Sequence, residues 1–136
     1  MCGGRTWGYA RWDAPEREQR KALAERAQTF RVLDYLDQML GFDAIIHGDA
    51  QGADRVSGLW ADHNCISVDV YPADWHRLGR KAGPMRNSQM IAEGNIHLGV
   101  AFPGGVGTDD MKFKLEAAGI DLLDFAGLQP LHGEML

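Results

Sequence analysis

Cysteine is scarce in this chain: Cys2 lies at one end and Cys65 far from it, and neither has a second Cys or a His at ligand spacing. That excludes a disulfide-stapled scaffold and argues against a structural zinc site, and it fits reduced thiols in a cytoplasmic compartment. Long apolar runs are missing too. None approaches the roughly 18 residues of a membrane span, and Met1-Cys2-Gly3-Gly4-Arg5 lacks the apolar stretch of a secretory signal. No membrane partner is expected. Positive charge is also short, with 14 Lys and Arg against 19 Asp and Glu for a net charge of −5. This weighs against a nucleic-acid coat that works by neutralising phosphates, while leaving room for a local basic pocket. Internal repeats and low-complexity segments are absent.

What remains is a 136-residue chain, 45% hydrophobic, of a size that buries one core without a disulfide or metal. Glycine is the outlier, at 17 residues where a usual share of about 7% would give far fewer. Positions 15–40 carry Leu23, Ala27, Phe30, Leu33, Leu36 and Leu40 at helical steps, with Asp13 and Gly41 as candidate caps. A short apolar strand at 43–47 runs into Gly48-Asp49-Ala50-Gln51-Gly52, and a helix follows at 53–63. Ile66, Val68 and Val70 alternate as a strand does. After Trp75 comes a basic loop to Gly83, then a helix with Pro84 in its first turn, running to about Glu93. A buried strand at 96–102 breaks at Pro103-Gly104-Gly105, a helix opens at Asp109 or Asp110, and a last strand falls near 120–123.

Strands alternating with helices imply an α/β fold: a Rossmann-like, doubly wound and mainly parallel sheet in a single domain, residues 1–125, with a C-terminal tail at 126–136. Ligands in such sheets sit beyond the carboxyl ends of the strands. The glycine clusters at 3–4, 48–52 and 104–107 should therefore converge on one edge.

Pro103-Gly104-Gly105-Val106-Gly107-Thr108 lies between a strand and a helix, where glycines let backbone amides approach an anion and the helix end adds positive potential. A glycine turn capped by Thr108, with no ligand, is the other reading. Arg77, Arg80, Lys81 and Arg86 gather positive charge in an acidic chain, and Arg86, followed by Asn87, is placed for phosphate. Asp49 and Asp54 flank the turn 48–52; they suit ribose hydroxyls or general-base work, or equally an Asx-turn and a helix cap. His47 reads as structural, and Trp75 is the preferred stacking candidate for a base.

These pieces in this order resemble the YspA-like (YpsA-related) branch of the SLOG superfamily, Rossmann-like domains that bind nucleotides or nucleotide-derived ligands. The resemblance is carried by Gly3-Gly4-Arg5 with Trp7, by His47-Gly48-Asp49-Ala50 with Gly52-Ala53-Asp54, by Ala73-Asp74-Trp75 with Gly79, by Ala82-Gly83-Pro84 with Arg86-Asn87 and Met90, and by Phe102-Pro103-Gly104-Gly105 with Gly107-Thr108. It spans residues 2 to about 123. It implies an apolar first strand ahead of Gly3-Gly4-Arg5, which this chain shortens to Met1-Cys2; reduced stability is expected unless another segment covers the gap.

The superfamily also includes the Lonely Guy phosphoribohydrolases and the DNA-processing protein DprA. The hydrolases are similar around Arg86-Asn87 and Pro103 to Thr108, but their catalytic glutamate follows the Gly-Thr pair by three residues, where this chain has Met111. The resemblance thus implies a binding domain for a nucleoside phosphate or ADP-ribose-like molecule. Gly4, Arg5, Gly48, Asp49, Gly52, Asp54, Trp75, Arg80, Arg86, Asn87, Pro103, Gly104, Gly105, Gly107 and Thr108 are the ligand-binding candidates. An enzyme acting at an N-glycosidic bond, with Asp49 or Asp110 and Arg86 as catalytic candidates, is the rival. A DprA-like nucleic-acid module ranks third because of the net charge. No cofactor beyond the nucleotide-type ligand is assigned, and Mg²⁺ is left open. The long first helix is a candidate surface for a homo-oligomer, or a plain solvent face.

Overall fold

The computed structural model describes residues 1–127. Helices and short parallel strands alternate along it: α1 (Glu16–Leu40), β1 (Ala44–His47), α2 (Ala53–His63), β2 (Ser67–Val70), α3 (Trp75–Leu78), α4 (Ala82–Glu93), β3 (Leu98–Ala101), α5 (Val106–Ala117) and β4 (Asp121–Asp124). A 3₁₀ turn, Gly79–Lys81, joins α3 to α4. The basic loop expected at 76–83 is therefore helical. Residues 128–136 of the expected tail lie outside the described residues.

The strands form two parallel pairs, β1 with β2 and β3 with β4, rather than one continuous sheet. Between the pairs lie Met1 and Cys2. The Cys2 amide donates to the Val100 carbonyl (3.0 Å), the Phe102 amide donates to the Cys2 carbonyl (2.9 Å), and Cys2 forms a single parallel bridge with Ala101. On the other side the Met1 ammonium donates to the Ile46 carbonyl (2.8 Å). The N-terminal residues thus touch both pairs with too few backbone bonds to make a strand. Below them a cavity of about 810 Å³ separates β1 from β3, lined in part by Phe42, Ile46, Leu98 and Leu115.

Helix α1 begins after Pro15, whose fixed φ suits a helix start; Asp13 instead pairs with Arg11 at 3.0 Å. Gly41 ends the helix at φ 69°, its amide donating to the Asp37 carbonyl (2.7 Å). The inward face is Ala22, Glu25, Thr29, Leu33 and Leu36, whereas Leu23 and Leu40 are exposed. Two polar residues are tolerated there because the turn at 5–8 supplies partners. Trp7 Nε1 donates to Thr29 Oγ1 (2.8 Å), and the Gly8 amide donates to Glu25 Oε1 (3.2 Å).

Trp7 also stacks on Phe102, which stacks in turn on Phe125, with ring centroids 6.1 and 5.7 Å apart. Burying such rings contributes about 1.5–3 kcal/mol each and fixes the N-terminal turn against the end of β3. Trp60, fully buried among Leu33 and Ile45, donates its Nε1 to Asp34 Oδ1 (2.8 Å) and ties α2 to α1. No helix among the described residues is long and apolar enough to cross a membrane.

Candidate functional site

The three glycine clusters meet at the carboxyl ends of β1 and β3. Gly4 donates to the Pro103 carbonyl (2.7 Å) and accepts from the Trp7 and Ala53 amides (3.2 and 3.3 Å), so one residue joins the N-terminal turn, the end of β3 and the start of α2. A Cβ on Gly104 would run into Thr108 Oγ1 and stand 2.7 Å from the Gly4 amide nitrogen. At Gly52, φ is 92° and the neighbouring backbone of Gly4 and Arg5 leaves no room for a side chain.

Around this junction opens a cavity of about 490 Å³. Its walls hold most of the residues expected from the sequence: Gly4, Arg5, Gly48, Asp54, Trp75, Arg80, Arg86, Asn87, Gly105, Gly107, Thr108 and Asp110. Four others fall elsewhere. Asp49 and Gly52 line a separate cavity of about 540 Å³ beside Arg55 and Tyr9. Pro103 and Gly104 line a third, next to Lys21 and Glu25, although Gly104 still forms the back of the turn. Asp49 is turned away by its left-handed backbone, φ 56°, and pairs with Arg55 at 3.3 Å. Arg77 is likewise taken up outside the cavity, pairing with Asp74 at 3.2 Å.

Gly83 and Met111, named in the sequence but not among the binding candidates, also line the cavity. Gly83 accommodates the Trp75 ring, and Met111 is buried in the wall. Gly83 is eight residues from Trp75 in the chain, and only the fold brings the two together.

Helix α5 starts at Val106, three residues ahead of the expected Asp109, so Gly107 and Thr108 are in its first turn and Gly105 is the cap residue. Gly105 has no side chain to occupy the first amides, and Gly105, Val106, Gly107 and Thr108 all line the cavity. Unsatisfied amides at a helix N-terminus, with the positive end of the helix dipole, form an anion-receptive wall.

Opposite stands Arg86, half-buried in α4. Its Nη1 donates to the Gly48 carbonyl (2.6 Å) and, more weakly, to the Tyr71 carbonyl (3.5 Å), while Nε donates to Asn87 Oδ1 (2.9 Å). Burial lowers its pKa, the Asp54 carboxylate opposes that, and Arg5 adds to the lowering. Asp54 is itself engaged, accepting from the Gly48 and Ala50 amides (3.1 Å each), and so shapes the turn rather than offering a free carboxylate.

Asn87 is buried and links α4 to α5: its Nδ2 donates to Asp110 Oδ2 (3.0 Å) and to the Gly107 carbonyl (3.3 Å). Lys114 Nζ donates to the same Asp110 oxygen at 2.8 Å. Burial acts to raise the Asp110 pKa, but the bonds from Lys114 and Asn87 outweigh it and hold the carboxyl below its ordinary value. Asp110 is therefore an anion and a weak proton acceptor. Among the described residues no group of three His, Cys, Asp or Glu side chains could hold a metal ion.

His47 has the structural place expected of it. It is buried at the end of β1, and its Nδ1 accepts the Asp49 amide (2.9 Å), which puts the ring proton on Nε2. Burial lowers its pKa against the pull of Asp54. The unfolded chain then takes up this proton more readily, so stability present above about pH 6.5 is lost as pH falls towards the depressed folded value. Thermal midpoints should drop between pH 7 and 5.5, and His47→Gln should flatten that slope; equal slopes in both proteins would refute the assignment. Glu25, whose pKa burial raises, acts in the opposite sense at lower pH.

The family model for the YspA, cpYpsA-related SLOG family matches residues 1–78, which takes in the glycine turns at 3–4 and 48–52 together with Trp75. Helices α4 and α5 lie beyond that match. The chain is similar to the Gene 61 protein of Mycobacterium phage D29, at 34% identity over 88 residues, covering 60% of this chain and 70% of that protein. No solved structure gives a significant match. On the match over more than half its length, the chain belongs to the YspA, cpYpsA-related SLOG family.

Proposed function

We propose that this chain binds a nucleotide or nucleotide-derived ligand, a nucleoside phosphate or an ADP-ribose-like molecule, in the 490 Å³ cavity between α5 and α4. The observation that carries the reading is the uncapped start of α5 facing a half-buried arginine. In this reading the amides of Val106 to Thr108, with the Nη2 of Arg86 that has no bond among the described residues, hold phosphate, and Gly4, Gly48 and Gly105 keep side chains out of its way. Arg5, Arg80 and Trp75 form the outer wall. Asn87 positions Arg86, and Asp54 holds the turn.

We infer for the architecture a Rossmann-like, doubly wound domain over residues 1–125. Met1 to Gly3 would be the central strand, giving the order β2, β1, N-terminal segment, β3, β4. The parallel bridge of Cys2 with Ala101 on one side and the Met1 bond to Ile46 on the other support this, as does the cavity's position beyond the strand ends.

Cleavage at an N-glycosidic bond is the second reading, favoured by one observation: the Asp110 carboxylate, ionised, lines the same cavity. It would stabilise a developing oxocarbenium charge rather than take a proton. This reading is built on Asp110 and not on Asp49, which lines the other cavity.

Calorimetry with ribose 5-phosphate, adenosine 5′-monophosphate and ADP-ribose tests the binding reading, and mass spectrometry of the same mixtures tests cleavage. Native protein should bind at least one, and Arg86→Ala should weaken it tenfold or more. A well-folded native protein that binds none would refute the proposal. Free base that appears with native protein and vanishes with Asp110→Asn would move the conclusion to the enzyme.

A further inference from the structure

The residues at the mouth of the cavity point to what lies beyond the phosphate, an inference that rests on the phosphate-ligand reading above. Trp75 opens α3 after Asp74, whose side chain accepts the Arg77 amide (3.2 Å) and fixes the start of that turn. One edge of the indole rests against Gly83, where a Cβ would stand 3.1 Å from the ring. Trp75 is 46% exposed, and one face of its ring is covered by the Arg5 guanidinium, whose Cζ lies 4.8 Å from the ring centroid.

Arg5 is exposed, and among the described residues its guanidinium has no hydrogen-bond acceptor and no ion pair; the ring is its contact. Its backbone follows Gly4, which is bonded to Pro103, so the side chain is rooted beside the uncapped start of α5. A cation with all five donors unused therefore sits on an aromatic face at the entrance of an anion-receptive cavity.

We propose that Arg5 and Trp75 are a displaceable pair that sets the ligand class. A phosphate at the α5 N-terminus draws the guanidinium off the ring into a bidentate contact, and the bared indole face then receives a planar heterocycle of the same ligand. The exchange is favourable on both sides. A charge-assisted, two-bond contact is stronger than a cation–π contact at an exposed site, and base-on-indole stacking replaces the ring's lost cover. The site thereby favours a nucleoside phosphate over a sugar phosphate, which leaves the bared ring wet, and over a free nucleoside, which competes with Arg5 for the ring and gives it no new partner.

The test is calorimetry with adenosine 5′-monophosphate, ribose 5-phosphate and adenosine on native protein, Trp75→Leu and Arg5→Gln, together with the fluorescence difference between native protein and Trp75→Leu. Both substituted side chains are exposed, so the fold should persist, with circular dichroism as the check. Native protein should prefer the nucleotide to ribose 5-phosphate by about tenfold or more. Trp75→Leu should erase that margin by weakening the nucleotide alone, while ribose 5-phosphate stays within about twofold. Arg5→Gln should weaken both phosphates and leave adenosine unweakened. Inorganic phosphate alone should change Trp75 emission in native protein and not in Arg5→Gln. Equal affinity of native protein for nucleotide and sugar phosphate, with Trp75→Leu unchanged, would overturn the pair's role and leave the phosphate site standing. No binding of either phosphate by native protein would overturn both.

Discussion

Gly105→Asp is expected to abolish phosphate-ligand binding, by about a hundredfold or more, in a protein at least as stable as the native one. The cap position of α5 holds a glycine with open space where a Cβ would go and with φ −116°, which any residue adopts. Aspartate there is a preferred cap: its carboxylate accepts the second or third amide of the helix and adds favourable charge at the dipole's positive end. Relative to glycine that is worth a few tenths of a kcal/mol to the fold. The same carboxylate occupies the donors assigned to phosphate and repels it. Each charge-assisted bond lost costs about 1.5–3 kcal/mol, so two lost bonds reach the stated factor before repulsion is counted. Gly105→Asn separates the parts, since it caps without charge and should fall between the two. The decisive pair of measurements is a calorimetric titration and a melting curve. Undiminished affinity in a normally folded Gly105→Asp protein would remove α5 from the site.

This outcome depends on where α5 begins, and that was not legible in the sequence. Val106-Gly107-Thr108 reads as a continuation of the glycine turn because glycine disfavours helix interiors. The helix starts there anyway, since Thr108 packs against the Gly104 backbone and is buried. The difference changes the chemistry: a Thr108 cap would serve the amides of Asp110 or Met111, whereas the actual start leaves those of Val106 to Thr108 with no side-chain cap at the cavity. The same tertiary override governs α1. Leucines at helical spacing marked a face through Leu23 and Leu40, but the buried face runs through Glu25 and Thr29, because partners for those two arrive from the irregular turn at Trp7 and Gly8. A contact made by a turn more than a dozen residues upstream leaves no periodic trace.

Glycines were the more dependable signal. Gly4, Gly48, Gly52 and Gly104 are dictated by close approach of backbone or guanidinium, a constraint that composition alone exposes as an excess and that strand ends then localise. The carboxylates were less readable. Asp49 and Asp54 flank one turn at similar spacing, yet a single left-handed residue sends the first outward to Arg55 while the second turns in beneath Gly48. Backbone handedness at a non-glycine position is not written in side-chain type. The strands show the opposite failure: β2 alternates in sequence, but Val70 is exposed and lines the cavity beside Asp49 and Arg55 instead of joining the core.

The partnership of Gly48 with Arg86, 38 residues apart, could not have been anticipated from either motif alone. Gly48→Ala should cost about 2–4 kcal/mol of stability and weaken ligand binding more than tenfold, although the arginine is still present. The backbone at Gly48 is outside the positive-φ region, so alanine meets no intrinsic strain there. Its Cβ, however, falls where the Arg86 guanidinium lies, and that group must leave a half-buried seat. The Gly48 carbonyl then loses a 2.6 Å charged donor and Asn87 loses its bond from Nε, so the link through Asp110 to α5 loosens as well. If this is the mechanism, the effect is specific to the pair. In an Arg86→Ala background the seat is empty, and Gly48→Ala should then cost less than about 1 kcal/mol, a non-additivity that a double-mutant cycle of chemical denaturation reads directly. Additive losses would mean that Gly48 serves the turn on its own account, and Arg86 would have to owe its position to α4 alone.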